Sequence, residues 1–383
     1  MSTPSNCQLY TNSFNLLRFP LALLVVLVHV FSVSPSTFNI PTIYDSVSFL
    51  SINRFINVFL LGIPVPVYFF ISGYFFFFGS IFTINTYKSK LKNRFHSLFI
   101  PYIIWNSAAI LVVVLKDIPV FSSLLTFAGT SADLDINNIL SCFWEYNGRL
   151  SPPPAGIENF EQYVKPTPYP INTALWYIRD LMIIVLLTPA IRLCISKCNK
   201  YFVIVLGALY CWSVFVPLNA HLGQLLTGLF FFSWGAYFRL NAIDVDRYLS
   251  NGKSLMLVCF IANGFICLAC YKCFPFVTTV FKLINSILAV GVLYSISSAM
   301  IKRYAIIPNR NLIPLGYFIY ISHCIISSRF TKLLMMLFQP TRGYEVTMIY
   351  MLSFFLVIFF LYFSYMTMRR FMPQLLRIMV GGK

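Results

Sequence analysis

Ten long apolar segments constrain this chain more than any motif in it. They fall at about 16–34, 56–82, 97–115, 172–191, 201–217, 222–238, 254–271, 276–299, 311–337 and 346–368. Most approach or exceed the roughly 20 residues that a helix needs to cross a bilayer core. Lipid offers no partner for backbone polar groups, so a spanning segment of this kind closes its own hydrogen bonds as a helix. Charged residues make up 10% of the 383, against the roughly 25% that solvates a soluble domain. A soluble domain, a disordered chain and a soluble repeat array are therefore excluded. The expected fold class is all-α: a polytopic membrane protein with about ten transmembrane helices in a single domain over 16–368, with the lipid bilayer as its surroundings.

The net charge is +17, which in a soluble protein would point to nucleic acid. Here the basic residues lie mostly between apolar segments and report orientation, so no nucleic-acid partner is expected. With residues 1–15 in the cytoplasm, the inner connections hold 17 Lys and Arg and the outer ones six. That bias places 1–15 and the tail 369–383 inside. The segment Met1 to Asn15 has no basic run, and no small-residue cleavage site follows the first apolar stretch, so the first span is expected to be retained. The connection 116–171 is then external. Its Pro152, Pro153, Pro154, Pro166, Pro168 and Pro170 argue against a long helix. It carries six of the 11 acidic residues and reads as a polar lid, although a flexible tether has the same composition.

Most of the ten cysteines lie in apolar stretches, which is unlike a secreted disulfide framework. Cys267, Cys270 and Cys273 have metal-like spacing but lack a fourth ligand, so no metal is expected.

An ionisable side chain in a span costs about 2.5–3.5 kcal/mol on insertion scales and needs a partner or a cavity. Arg18 and His29 are eleven residues apart, about 1100° of helix rotation, so they share one face with a rise of about 16 Å. An Arg near a helix end can also snorkel to the headgroups, and a His can be satisfied by a backbone carbonyl.

The segment NLLRFPLALLVVLVHV around this pair resembles the first helix of the acyltransferase 3 family, whose signature is an Arg, ten residues and a His. PVYFFISGYFFF (66–77) is similar to the family's phenylalanine-rich second helix ending in Ser-Gly. KLKNRFHSLFIPYIIW (90–105) is similar to its basic loop entering helix three through Leu-x-x-Pro-Tyr. ALWYIRDLMIIVLLTP (174–189) looks like its Trp-aromatic-aliphatic motif, and LGYFIYISHCII (315–326) like its late Tyr-x-x-His helix. The five stand in the family's order and span most of the chain. One departure lies after Arg94, where Phe95, His96 and Ser97 stand in place of the second Arg that some glycan-modifying members carry.

The resemblance implies transfer of an acyl group, most often acetyl, from cytoplasmic acyl-coenzyme A to a hydroxyl of a glycan or lipid-linked sugar in a bacterial inner membrane. The donor is a substrate, and no bound cofactor is expected. The catalytic residues expected are His29, as general base, and Arg18. Arg94, Lys92 and Ser72 are the donor-binding candidates: coenzyme A brings phosphates that need cations at the inner mouth, and Ser72 could donate to the thioester oxygen. Basic residues there also serve as positive-inside anchors, and Ser-Gly also suits a close helix contact. Trp176, Arg179, Asp180, His323 and Tyr320 are the acceptor-binding candidates, with a belt residue, a polar network and a structural His as their other roles. A flippase for a polar lipid-linked sugar is the alternative, although no internal repeat supports it.

Overall fold

The computed structural model describes residues 6–32, 47–79, 82–115, 136–146, 168–213, 215–216, 220–250, 252–270 and 273–382. Among them the regular structure is helical throughout, with no strand. The helices are α1 (Asn6–Ser32), α2 (Val47–Arg54), α3 (Pro64–Phe76), α4 (Ile84–Arg94), α5 (Ile100–Leu115), α6 (Ile136–Ser141), α7 (Trp176–Leu186) and α8 (Thr188–Cys198). There follow α9 (Lys200–Ser213), α10 (Ala220–Leu240), α11 (Val245–Ser250), α12 (Lys253–Cys270), α13 (Pro275–Tyr304), α14 (Leu312–Phe338), α15 (Gly343–Phe371) and α16 (Pro373–Met379).

Among the described residues seven stretches are long and apolar enough to cross a membrane: Cys7–Ser32, Phe49–Phe76, Ile84–Leu115, Lys253–Cys270, Phe276–Tyr304, Leu312–Phe338 and Gly343–Phe371. The expected span 172–191 is broken, because α7 and α8 meet at a 62° bend. Pro189, in the first turn of α8, lacks the N–H that would continue α7. Counting this pair as one span gives eight. The expected segment 222–238 lies within α10, whereas of 201–217 only the part up to Ser213 is helical among the described residues, as α9, whose 14 residues extend only about 21 Å at 1.5 Å per residue. The figure of about ten is thus not reached on length and apolarity among the described residues. Helix α1 starts at Asn6, so most of the polar segment 1–15 is already helical. Most of 116–171 lies outside the described residues, apart from 136–146 and 168–171.

α15 shows why these helices need lipid. Val346, Tyr350, Ser353, Val357, Leu361 and Tyr365 are buried along one stripe, while Phe355, Phe359 and Phe363 are more than 60% exposed along another. A helix apolar on both faces packs one against protein and presents the other to hydrocarbon.

Two compact units are built from interleaved segments. The first comprises Met1–Val28, Asn53–Asn93 and Asp180–Tyr317, and the second His29–Ile52, Arg94–Arg179 and Phe318–Lys383. In the first unit α3 crosses α10 at backbone contact. A Cβ on Gly73 would lie 1.9 Å from the Phe232 carbonyl oxygen, and one on Gly235 would lie 2.0 Å from that of Phe70. One index rises as the other falls, so the two helices run antiparallel at the crossing. Small residues permit this approach where dispersion, not water exclusion, holds helices together. The same unit contains a π-helical stretch, Phe55–Leu60, following α2. Asn285 Nδ2 donates to the Phe59 carbonyl at 3.0 Å and Ser286 Oγ to that of Gly62 at 2.8 Å, so side chains of α13 satisfy carbonyls that an irregular helix leaves without partners.

In the second unit α16 folds back on α5. Trp105 Nε1 donates to the Met379 carbonyl at 3.2 Å, and Gly381, at φ 70°, brings its backbone against Ser97 where a Cβ would meet Cα at 2.5 Å. Phe31 and Phe49 both pack against Tyr350. The core here is aromatic.

Candidate active site

The late helix α14 positions the site in the second unit. His323 is fully buried, and its Nδ1 lies 2.7 Å from the Tyr320 carbonyl and 3.2 Å from that of Ile319. A ring nitrogen facing carbonyl oxygens must carry the hydrogen, so neutral His323 is the Nδ1–H tautomer and its Nε2 holds a lone pair. That Nε2 faces Cys324 Sγ at 3.3 Å. His29, near the end of α1, completes the group: its ring centroid is 5.0 Å from that of His323. One nitrogen of each imidazole and the sulfur all lie within 4.8 Å of one another. His29 and Cys324 are partly accessible, with His323 sealed behind them.

The short 3-10 turn Thr173–Leu175 ahead of α7 braces this stretch of α14. Asn172 Nδ2 donates to the Ile321 carbonyl at 2.9 Å, Thr173 Oγ1 donates to Cys324 Sγ at 3.5 Å, and the Tyr320 hydroxyl donates to the Ala174 carbonyl. Asn106 Oδ1 in turn accepts from the Asn172 amide at 3.2 Å. Three successive residues thus hold three positions of α14 around His323. Tyr320, expected at the acceptor, spends its hydroxyl proton on this brace. His29, His323 and Cys324 also form a donor set of two nitrogens and one sulfur, a combination zinc accepts.

Arg179 is 2% exposed. Its Nη1 donates to the Trp144 carbonyl at 2.7 Å and the Pro168 carbonyl at 3.1 Å, and its guanidinium lies 5.1 Å from the centroid of the Trp144 ring. It therefore ties together the two described parts of the 116–171 connection, which also pair directly through Tyr146 N–H to the Tyr169 carbonyl at 2.7 Å. Trp176 is half-buried against Tyr169. Asp180 is buried.

In the first unit, the phenylalanine-rich stretch gathers cations. Arg18 lies over Phe75 at 4.9 Å, Lys90 over Phe76 at 5.3 Å, Arg239 over Phe78 at 4.5 Å and Arg192 over Phe82 at 5.1 Å. Each such contact contributes about 0.5–2 kcal/mol, more where water is excluded. Lys90 Nζ also donates to the carbonyls of Phe76 and, at 3.5 Å, Phe78, which caps the C-terminus of α3. Ser72 is half-buried beside Gly73, whose contact with Phe232 accounts for the glycine. Lys92 is exposed and Arg94 half-buried at the end of α4.

Sequence reasoning missed Cys324, although it directly follows His323 in the ISHC segment, because a cysteine in an apolar helix reads as filler. It also missed Arg192 and Arg239, whose only sequence signal was their place in basic inner connections.

The acyltransferase domain model of the acyltransferase 3 family matches residues 11–375. Comparison with curated proteins and with solved structures returns no match. The matched region takes in the His29, His323 and Cys324 cluster and every helix that braces it, and on that coverage the chain belongs to the acyltransferase 3 family and is a membrane acyltransferase.

Proposed function

We propose that this membrane acyltransferase moves an acetyl group from acetyl-coenzyme A to a hydroxyl of a cell-surface or lipid-linked glycan, with His29 removing the hydroxyl proton. The observation that supports this reading best is the imidazole of His29, partly accessible and flanked by His323 and Cys324. A sugar hydroxyl becomes a competent nucleophile only as its proton leaves, and a base with pKa near ambient pH serves best. Imidazole is the side chain whose ordinary pKa meets that need.

On α1 alone, Arg18 precedes His29 by eleven residues and about 16 Å, a length suited to a donor held by its phosphates at one end and reacting through its thioester at the other. Arg18, Arg94 and Lys92 are assigned to those phosphates, with Ser72 toward the thioester oxygen. Trp176, Asp180, Arg179 and His323 are assigned to the acceptor side, where Trp176 offers a ring face to a sugar and Arg179 and Tyr320 act by fixing the backbone around it. The charge bias of the connections supports a plasma-membrane protein with both termini in the cytoplasm, so the donor enters from inside and the acceptor from the 116–171 side.

The test uses purified protein, labelled acetyl-coenzyme A, and glycolipid and polysaccharide extracted from the producing cells. Label appearing in the extract as a base-labile ester, with coenzyme A released in step, supports the assignment. A flippase would leave the thioester intact.

A further inference from the structure

We propose that Cys324 is the nucleophile that carries the acyl group, with His323 as its base, so that transfer passes through an acyl-Cys324 thioester. This rests on the acyl-coenzyme A reading above and specifies its route.

Three groups converge on the sulfur. His323 Nε2 lies at 3.3 Å, the Thr173 hydroxyl donates to it from 3.5 Å, and a His29 nitrogen lies within 4.8 Å. Thr173 is informative, since a hydroxyl placed to donate to sulfur stabilises the thiolate more than the thiol. His323 is set for the matching step: its Nδ1–H is already bonded to backbone carbonyls, so the Nε2 lone pair is the position open to the thiol proton. Once that proton arrives, both N–H groups of the imidazolium have acceptors, a carbonyl on one side and the thiolate on the other. This is the arrangement by which an adjacent base activates a nucleophile and a third group orients the base. Burial divides the roles, because Cys324 and His29 are partly accessible while His323 is fully buried.

In the first half-reaction the Cys324 thiol gives its proton to His323 Nε2, and the thiolate adds to the thioester carbonyl carbon of the donor. The tetrahedral adduct collapses with cleavage of the carbon–sulfur bond to coenzyme A, whose thiolate takes the proton from His323 and leaves as the free thiol. One thioester replaces another, so the exchange is close to balanced in energy. In the second half, His29 takes the proton of the acceptor hydroxyl as its oxygen adds to the acyl carbon. The bond to Sγ then breaks, and the Cys324 thiolate recovers that proton from His29. Neither half changes an oxidation state.

The experiment incubates the full-length wild-type protein with labelled acetyl-coenzyme A and no acceptor. The expected result is up to one label per chain, mapped by peptide mass to Cys324, released by neutral hydroxylamine and matched by free coenzyme A. His29→Gln should keep this adduct while losing acceptor-dependent turnover by about 10²-fold or more. Cys324→Ala and Cys324→Ser should both lose turnover by at least that factor, the serine variant serving as a near-isosteric control for folding. The adduct measurement itself uses wild-type protein and needs no variant to fold. Wild-type turnover in either Cys324 variant overturns the proposal, as does transfer to the extract with label absent from Cys324 in both wild type and His29→Gln. Tightly held zinc at one ion per chain, lost in Cys324→Ser, would also overturn it, since a ligated sulfur is not free to attack. Transfer without the adduct sinks the covalent route alone; no thioester consumption even with the extract sinks the acyltransferase reading as applied to this donor.

Discussion

At the scale of single residues, the cluster of His29, His323 and Cys324 separates chemistry from support. His29→Ala and His29→Gln are both expected to reach the membrane in normal amount yet lose transfer activity by about 10²-fold or more, since an amide keeps a hydrogen bond but takes up no proton. Near-wild-type turnover in His29→Gln would remove the base assignment. Tyr320 predicts the opposite kind of effect. Its hydroxyl donates to the buried Ala174 carbonyl, so Tyr320→Phe leaves that acceptor without its partner and should destabilise by about 1–3 kcal/mol. The loss is read as a lower midpoint of thermal unfolding in detergent. For the donor, Arg18→Ala and Arg94→Ala should raise KM for acetyl-coenzyme A more than KM for a truncated acetyl-pantetheine lacking the nucleotide phosphates. Equal changes for both donors would take the two guanidinium groups off the phosphates.

At the scale of helices, the α3 and α10 crossing is the sharpest test of the packing. Gly73→Ala and Gly235→Ala would each drive a methyl to about 2 Å from a carbonyl oxygen of the facing helix, which side-chain rotation cannot relieve. Both should destabilise by at least the roughly 1–3 kcal/mol of ordinary overpacking, whereas Gly223→Ala, with nothing within 4 Å of its Cβ, should be neutral or mildly stabilising in α10. Retention of monodisperse folded protein after brief heating distinguishes the three. The short helix α11 predicts a pH effect. Asp244 Oδ1 accepts the Arg247 N–H at 2.9 Å and the Tyr10 hydroxyl at 2.7 Å, and these bonds hold its carboxyl below the usual carboxylate range. A group with a depressed folded pKa contributes stability above its unfolded pKa and loses it as pH falls through the folded value. Thermal stability should therefore decline in acid below the ordinary carboxylate range, and Tyr10→Phe should flatten part of that decline. An unchanged acid limb in Tyr10→Phe would show that the Tyr10 bond does not stabilise the ionised carboxyl.

At the scale of the whole molecule, orientation decides which substrate enters where. The imbalance of 17 inner to six outer basic residues predicts that a reporter cysteine placed at Leu150 is labelled by an impermeant maleimide on intact cells, with the wild-type chain as the blank. Labelling only after the membrane is opened from the cytoplasmic side would invert the topology and, with it, the access routes of donor and acceptor. The bend between α7 and α8 belongs to this scale as well, since it turns one apolar run into two short helices and leaves seven helices, or eight with the bent pair counted as one, long and apolar enough to cross a membrane among the described residues.

The sequence by itself determined the helical membrane class, the family and the register of Arg18 and His29. The class follows from composition and the length of apolar runs, the register from spacing along one helix, and the family from the resemblance of five segments in order, all of which are read along the chain. It also indicated Trp176, Arg179, Asp180, Tyr320 and His323 as polar groups that a membrane interior must justify, without saying how. Only the tertiary structure decided that Arg179 ties down the connection through Trp144 and Pro168, that Tyr320 braces the turn before α7, and that His323 lies beside His29 despite 293 intervening positions in the chain. The role of Cys324 was likewise invisible in one dimension. A thiol in an apolar helix has no chemistry of its own until folding sets two imidazoles and a hydroxyl around it, and those partners come from α1, α14 and the turn before α7.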